Sequence, residues 1–160
     1  MKRGSTLFLK IAVILIGIPV LLLCIFFVPE IGNFAAELYP EHDYLKYLVF
    51  TDLYAAALPF YMALYQAFKL LSYIDKNNAF SQISVKALKN IKFCAITISA
   101  LYVVGLPLFY LIAEKDDAPG IILIGLVLIF ASMVIAVFSA VLQRLLQEAI
   151  DIKSENDLTV

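Results

Sequence analysis

Histidine appears once in this chain, at position 42, and cysteine only twice, at positions 24 and 94. So thin a supply of ligating and nucleophilic side chains removes most metal and thiol chemistry at the outset. Cys24 and Cys94 have neither disulfide-framework nor zinc-like spacing. His42 stands between Glu41 and Asp43, but sequence neighbours rarely converge as ligands. A solvated loop is the expectation there, and no metal or cofactor is assigned. No nucleophile elbow, phosphate-cradling glycine loop or HExxH helix occurs. No catalytic residue is assigned, and the chain reads as non-enzymatic.

Charge is scarce as well. Asp, Glu, Lys and Arg make up 16% of the 160 residues and hydrophobic residues 63%, with mean hydropathy +0.94. Soluble domains run at about 25% charged and about 45–50% apolar. A water-soluble fold of this size cannot bury such an excess, which makes lipid the natural solvent. Four apolar stretches carry it: 7–28, about 45–74, about 93–113 and about 119–142. Each reaches the roughly 20 residues that cross about 30 Å of hydrocarbon as a helix. They are continuously apolar and do not alternate as barrel strands do, so the fold class is all-α, with four transmembrane helices. In the long second stretch, Tyr44–Asp52 is expected to lie partly in the interface, with the span proper starting at 50–53. Pro19, Pro59 and Pro107 fall inside spans and predict kinks.

Lys and Arg set the orientation. Lys2, Arg3 and Lys10 lie at the N-terminal side of the first span. Lys69, Lys76, Lys86, Lys89 and Lys92 lie around the second connection, and Arg144 and Lys153 follow the fourth span. Only Lys46 and Lys115 fall on the opposite side, among Glu30, Glu37, Glu41, Asp43, Asp52, Glu114, Asp116 and Asp117. The reading is a multi-pass protein of the cell membrane with both termini in the cytoplasm. The first apolar run is too long for a cleavable signal core and lacks a small-x-small site, so it is read as an uncleaved anchor.

The cytoplasmic connection is the most featured segment. Asn77-Asn78 signals a turn, and Ser81 or Ser84 is placed to cap a following helix. Phe80, Ile83, Ala87, Leu88 and Ile91 share one helical face, while Lys86, Lys89 and Lys92 share the other. That pattern predicts an amphipathic cytoplasmic helix between spans two and three, lying beside anionic headgroups. Phe80, Ser81, Lys86, Lys89 and Lys92 form a candidate partner interface. The basic count is small and comes without a groove-reading motif, so direct nucleic-acid binding is not expected. Leu142, Leu145, Leu146, Ala149 and Ile152 keep helical spacing, so span four is expected to continue into a cytoplasmic tail over 143–160.

Inside the spans, Tyr54, Tyr61, Tyr65 and Gln66 mark a candidate intramembrane pocket whose alternative role is helix packing. Thr97, Ser99, Ser132 and Ser139 are expected to bond across helices. Asp52 is the acid nearest the hydrocarbon and is expected beside the outer headgroups. Gly17, Gly125 and Ala131–Ala136 suit close helix contacts, Gly105 is expected to shape the kink at Pro107, and oligomeric state stays open.

The segments Ile74-Asp75-Lys76-Asn77-Asn78-Ala79-Phe80-Ser81, Ser84-Val85-Lys86-Ala87-Leu88-Lys89-Asn90-Ile91-Lys92 and Glu155-Asn156-Asp157-Leu158-Thr159-Val160 resemble the bacterial "domain of unknown function 2975" family, in particular its YoaS-like members. The likeness covers nearly the whole chain. It implies a four-span membrane protein without assigned activity, whose genes often lie beside one for a small helix-turn-helix regulator. It transfers no catalytic residues. Together these readings favour a regulatory or sensing membrane protein that tethers or restrains such a regulator. The alternative is a bundle that binds or transports a small molecule or lipid.

Overall fold

The computed structural model describes residues 2–41, 44–77, 79–117 and 120–159. His42, Asp43, Asn78, Pro119 and Val160, on which parts of the sequence reading fall, lie outside them. Four helices account for nearly all of the described chain: α1 Lys2–Leu38, α2 Tyr44–Asp75, α3 Gln82–Asp116 and α4 Gly120–Thr159. Each is long and apolar enough to cross a membrane. The helices run through Pro19, Pro29, Pro59 and Pro107 without a break. Neighbouring residues in a membrane helix re-satisfy the backbone group that a proline frees.

The helices run past the apolar stretches at their ends. Helix α2 is continuous from Tyr44. The segment from Gln82 to Lys92 forms the first turns of α3 and continues into the apolar stretch as one 35-residue helix. Helix α4 is a single 40-residue rod that takes in the tail, about 60 Å long at 1.5 Å per residue. That is twice the thickness of a hydrocarbon core.

Consecutive helices pack antiparallel in chain order, α1 on α2, α2 on α3 and α3 on α4. Helix α1 meets α3 only briefly, and among the described residues α1 and α4 do not meet at all. The bundle is therefore open along one seam. Protein buries only 6% of the most apolar window of α1 and 11% of that of α4. Leu15, Phe26, Phe130 and Phe138 are among the large side chains facing outward. Lipid tails are as apolar as these side chains, so hydrophobicity does not drive the helices together. Close van der Waals packing and interhelical hydrogen bonds do.

The buried set has the composition that this physics demands. It is rich in small residues: Ala35, Ala56, Ala87, Ala95, Ala113 and Ala136, with Ser84, Ser99 and Ser139. Two glycines permit the tightest approaches. A Cβ on Gly32 would meet the Phe50 ring at 2.6 Å (Cζ) and 2.9 Å (Cδ1). One on Gly105 would fall within 2.8 Å of the Asp52 carboxyl carbon. Gly105 thus admits a side chain from α2, a role the sequence reading had assigned to shaping the Pro107 kink. At the acidic end, Ala35, Val49 and Ile112 form a buried cluster against Leu38, Leu53 and Ile121.

Interhelical hydrogen bonds come mostly from tyrosine. Tyr54 and Tyr61 on α2 donate to the α1 carbonyls of Cys24 (2.9 Å) and Gly17 (2.8 Å), and Tyr39 donates to the Leu111 carbonyl at the end of α3 (2.9 Å). Thr97 and Ser132 instead turn back on their own helices, donating to Phe93 and Leu128 four residues earlier. A hydroxyl one turn from a carbonyl reaches it within its own helix, so the hydroxyl hydrogens of these two residues are not spent across helices as expected.

Candidate functional site

The end of the bundle that carries the termini is also its lysine-rich end. Lys10 on α1 reaches the last residue of α2, Asp75, at 2.8 Å, and Thr6, one turn earlier, donates to the other carboxyl oxygen. Both partners of the ion pair are only about a fifth exposed (20% and 22%). The Lys10 ammonium also lies 5.3 Å from the centre of the Phe68 ring. This clamp ties the start of α1 to the point where α2 ends. Asn77 then turns the chain in the left-handed region (φ 62°), where Asn is among the few non-glycine residues tolerated. Ser81 occupies the N-cap position of α3 with extended backbone, and its carbonyl accepts from Ser84 and Val85 N–H.

The first turns of α3 bury Ser84, Val85, Ala87 and Leu88, while Lys86 and Lys89 are exposed. Ile83 and Phe80, on the same apolar face in the sequence pattern, are 53% and 58% exposed. Ile83 lies in the first turn of α3 and Phe80 just before it. Lys89 and Lys92 flank the outward-facing Phe93 ring, at 5.9 and 4.8 Å from its centre. An apolar groove of about 360 Å³ opens here between the end of α2, the connection and the extended α4. Ile74, Phe80, Leu88, Leu142, Leu145 and Ala149 are among its walls. Beyond the groove, Ile152 and Leu158 stand 60% and 83% exposed on α4, beside Glu148, Asp151 and Glu155.

The second set of sequence candidates is dispersed. Tyr54 and Tyr61 spend their hydroxyls on α1 backbone. Tyr65 is 61% exposed, with the Lys69 ammonium 5.2 Å from its ring centre, and Gln66 is half-buried one position on. None of the four lines either of the two cavities described here.

The second cavity, about 290 Å³, lies toward the acidic end, in the open seam between α1 and α4. Phe34 of α1, Leu53 of α2, Tyr102 and Phe109 of α3, and Ile124 and Leu128 of α4 line it. Close by is a residue whose placement the sequence reading missed. Asp52 is 8% exposed, packed on Gly105, and its Oδ2 has no hydrogen-bond partner among the described residues. Gly105 comes nine positions before Glu114 and thirteen after Lys92, about 13 and 20 Å along α3. That is level with Asp52, eight positions or about 12 Å past the start of α2. Its carboxyl is buried by contact with a glycine on another helix, which nothing in the local sequence reports.

Residues 30–160 match the family described as "Protein of unknown function (DUF2975)". Over all 160 residues the chain is 73% identical to the uncharacterized membrane protein YoaS of Bacillus subtilis (strain 168), with both chains covered in full. No solved structure matches.

Proposed function

The chain belongs to the DUF2975 family of membrane proteins, and from that premise we propose that it is a non-enzymatic regulatory protein of the cell membrane. On this reading its lysine-rich end faces the cytoplasm and docks a soluble regulator of the helix-turn-helix class. The orientation rests on the Lys and Arg asymmetry. The observation that supports the docking is the apolar groove under Phe80 and Leu145. Its α4 wall runs from Leu142 to Ala149, about 10 Å along the helix, starting where the fourth apolar stretch ends. An amphipathic helix laid into such a groove is a common recognition mode. Lys86 and Lys89 on one side and Glu148, Asp151 and Glu155 on the other give it a direction. The protein holds the regulator at the membrane without itself touching nucleic acid.

The test is co-purification from membranes with a helix-turn-helix regulator encoded in the protein's own gene neighbourhood; a neighbourhood without one would count against the reading. Phe80→Glu and Leu145→Glu, each placing a charge in the groove, are expected to release the regulator while the membrane protein still elutes as a monodisperse peak. Retention of the regulator by both variants would end this reading.

A further inference from the structure

Helix α3 enters its apolar stretch at Phe93, and the side chains at that point form an arrangement that the groove does not use. Phe93 is 50% exposed. It follows Leu88, a wall of the groove, by five positions, which at about 100° per residue turns it about 140° away around the helix. The ring therefore looks out into lipid. The ammonium groups of Lys92 and Lys89 are drawn to it, 4.8 and 5.9 Å from its centre.

Depth is fixed by the packing of α2 on α3. Asp52 lies against Gly105, and thirteen positions toward the lysine-rich end along each antiparallel helix Tyr65 comes level with Lys92. Tyr65 is likewise exposed, with the Lys69 ammonium 5.2 Å from its ring centre. Two outward-facing rings on different helices thus meet ammonium groups at one level, where residues 93–113 begin a stretch without charge. That is the level at which headgroups meet hydrocarbon.

The two lysines of α3 carry charge that the protein leaves unanswered. Among the described residues neither lies within ion-pair distance of a carboxylate. Asp75 is engaged by Lys10 and Thr6, and Glu148 pairs with Arg144. Two like charges brought to one ring repel each other, and an anion between them removes that cost. The ring beside them offers its apolar face to acyl chains, so the anion that fits here carries its own hydrocarbon.

We infer that Lys89, Lys92 and Phe93 form a binding site for the phosphodiester headgroup of an anionic phospholipid, with its acyl chains along Phe93. This site stands independently of the docking groove and of which side of the membrane the lysines occupy.

The chain has no tryptophan, so Phe93→Trp supplies a single fluorescent reporter and keeps an aromatic face for both ammonium groups. Full-length protein is reconstituted in mixed phosphatidylcholine and phosphatidylglycerol bilayers in which one lipid or the other carries dibrominated, quenching chains. Steeper quenching by phosphatidylglycerol is expected, amounting to about a fivefold preference over phosphatidylcholine. Adding Lys89→Gln and Lys92→Gln is expected to bring that preference to near unity. Phe130→Trp in the otherwise native chain is the reference. That residue is 71% exposed on α4, with no charged residue from 120 to 143, and no preference is expected there. Inorganic phosphate should weaken the preference at Phe93→Trp no more than chloride of equal ionic strength. Absence of preference at Phe93→Trp, its survival in the glutamine variant, or an equal preference at Phe130→Trp overturns the inference. So does displacement specific to inorganic phosphate, which would make the ligand a free anion. Should the glutamine variant fail to fold, the two tryptophan reporters decide the matter between them.

Discussion

A hydrogen atom is all that Phe50 leaves room for at Gly32, whereas Gly4, near the start of the same helix, has nothing within 4 Å of a built Cβ. The two glycines look alike in sequence, and the same substitution is expected to act in opposite directions. Gly32→Ala drives a methyl into an aromatic ring held between helices, an overpacking that typically costs about 1–3 kcal/mol. Gly4→Ala meets open space and gains helix propensity worth up to about 1 kcal/mol. Thermal unfolding in dodecyl maltoside, followed by circular dichroism, should show a lower midpoint for the first and an equal or higher one for the second. Neither role was legible in the sequence, because a glycine's neighbour across a helix contact has no local signature. Asp52 is the same case: its burial is set by Gly105, fifty-three positions away on α3. The tyrosines were half legible. Their hydroxyls required partners, but only the packing of α2 on α1 shows that Tyr54 and Tyr61 find them on backbone carbonyls.

At the scale of the helices, existence and length came through because both depend on a property summed over twenty residues. The helices extend beyond the apolar stretches, because a helix has no physical reason to stop at the hydrocarbon surface when its backbone is already satisfied. Phe80 and Ile83 share a face with Ala87 and Leu88 but, at the start of α3 and just before it, are covered less than those two. The link least visible beforehand is the Lys10–Asp75 pair, since Lys10 entered only as a topology signal and Asp75 only as an exception among lysines. Their geometry predicts a measurable coupling between α1 and α2. A double-mutant cycle with Lys10→Met and Asp75→Asn is expected to give about 1 kcal/mol, the upper range for exposed pairs, because both groups are mostly covered. Raising the salt concentration should shrink that coupling only modestly. A coupling within error of zero would mean that the two charges are held by their separate surroundings.

For the molecule as a whole, the four spans and the shared side of the two termini follow from segment length and an even count, while the choice of side rests on charge alone. Single cysteines at Lys153 and Lys115, introduced after replacing Cys24 and Cys94 with Ala, make that choice measurable with a membrane-impermeant maleimide. On intact cells Lys115→Cys is expected to be labelled and Lys153→Cys to react only after permeabilisation. The opposite pattern would reverse the orientation and move the groove outside the cell. What no count of residues could supply is the openness of the bundle, because which helices fail to touch is a property of the packed whole.

Helix α4 shows what that openness entails. Among the described residues only α3 approaches it closely along its backbone, and it is a single unbroken rod of 40 residues. Such a member can pivot as a lever. With a length of about 60 Å, a tilt of only about 5° about one tip sweeps the other through about 5 Å, roughly the pitch of one helical turn. A pivot at the acidic tip would carry Leu145 and Ile152 sideways by about 3–4 Å.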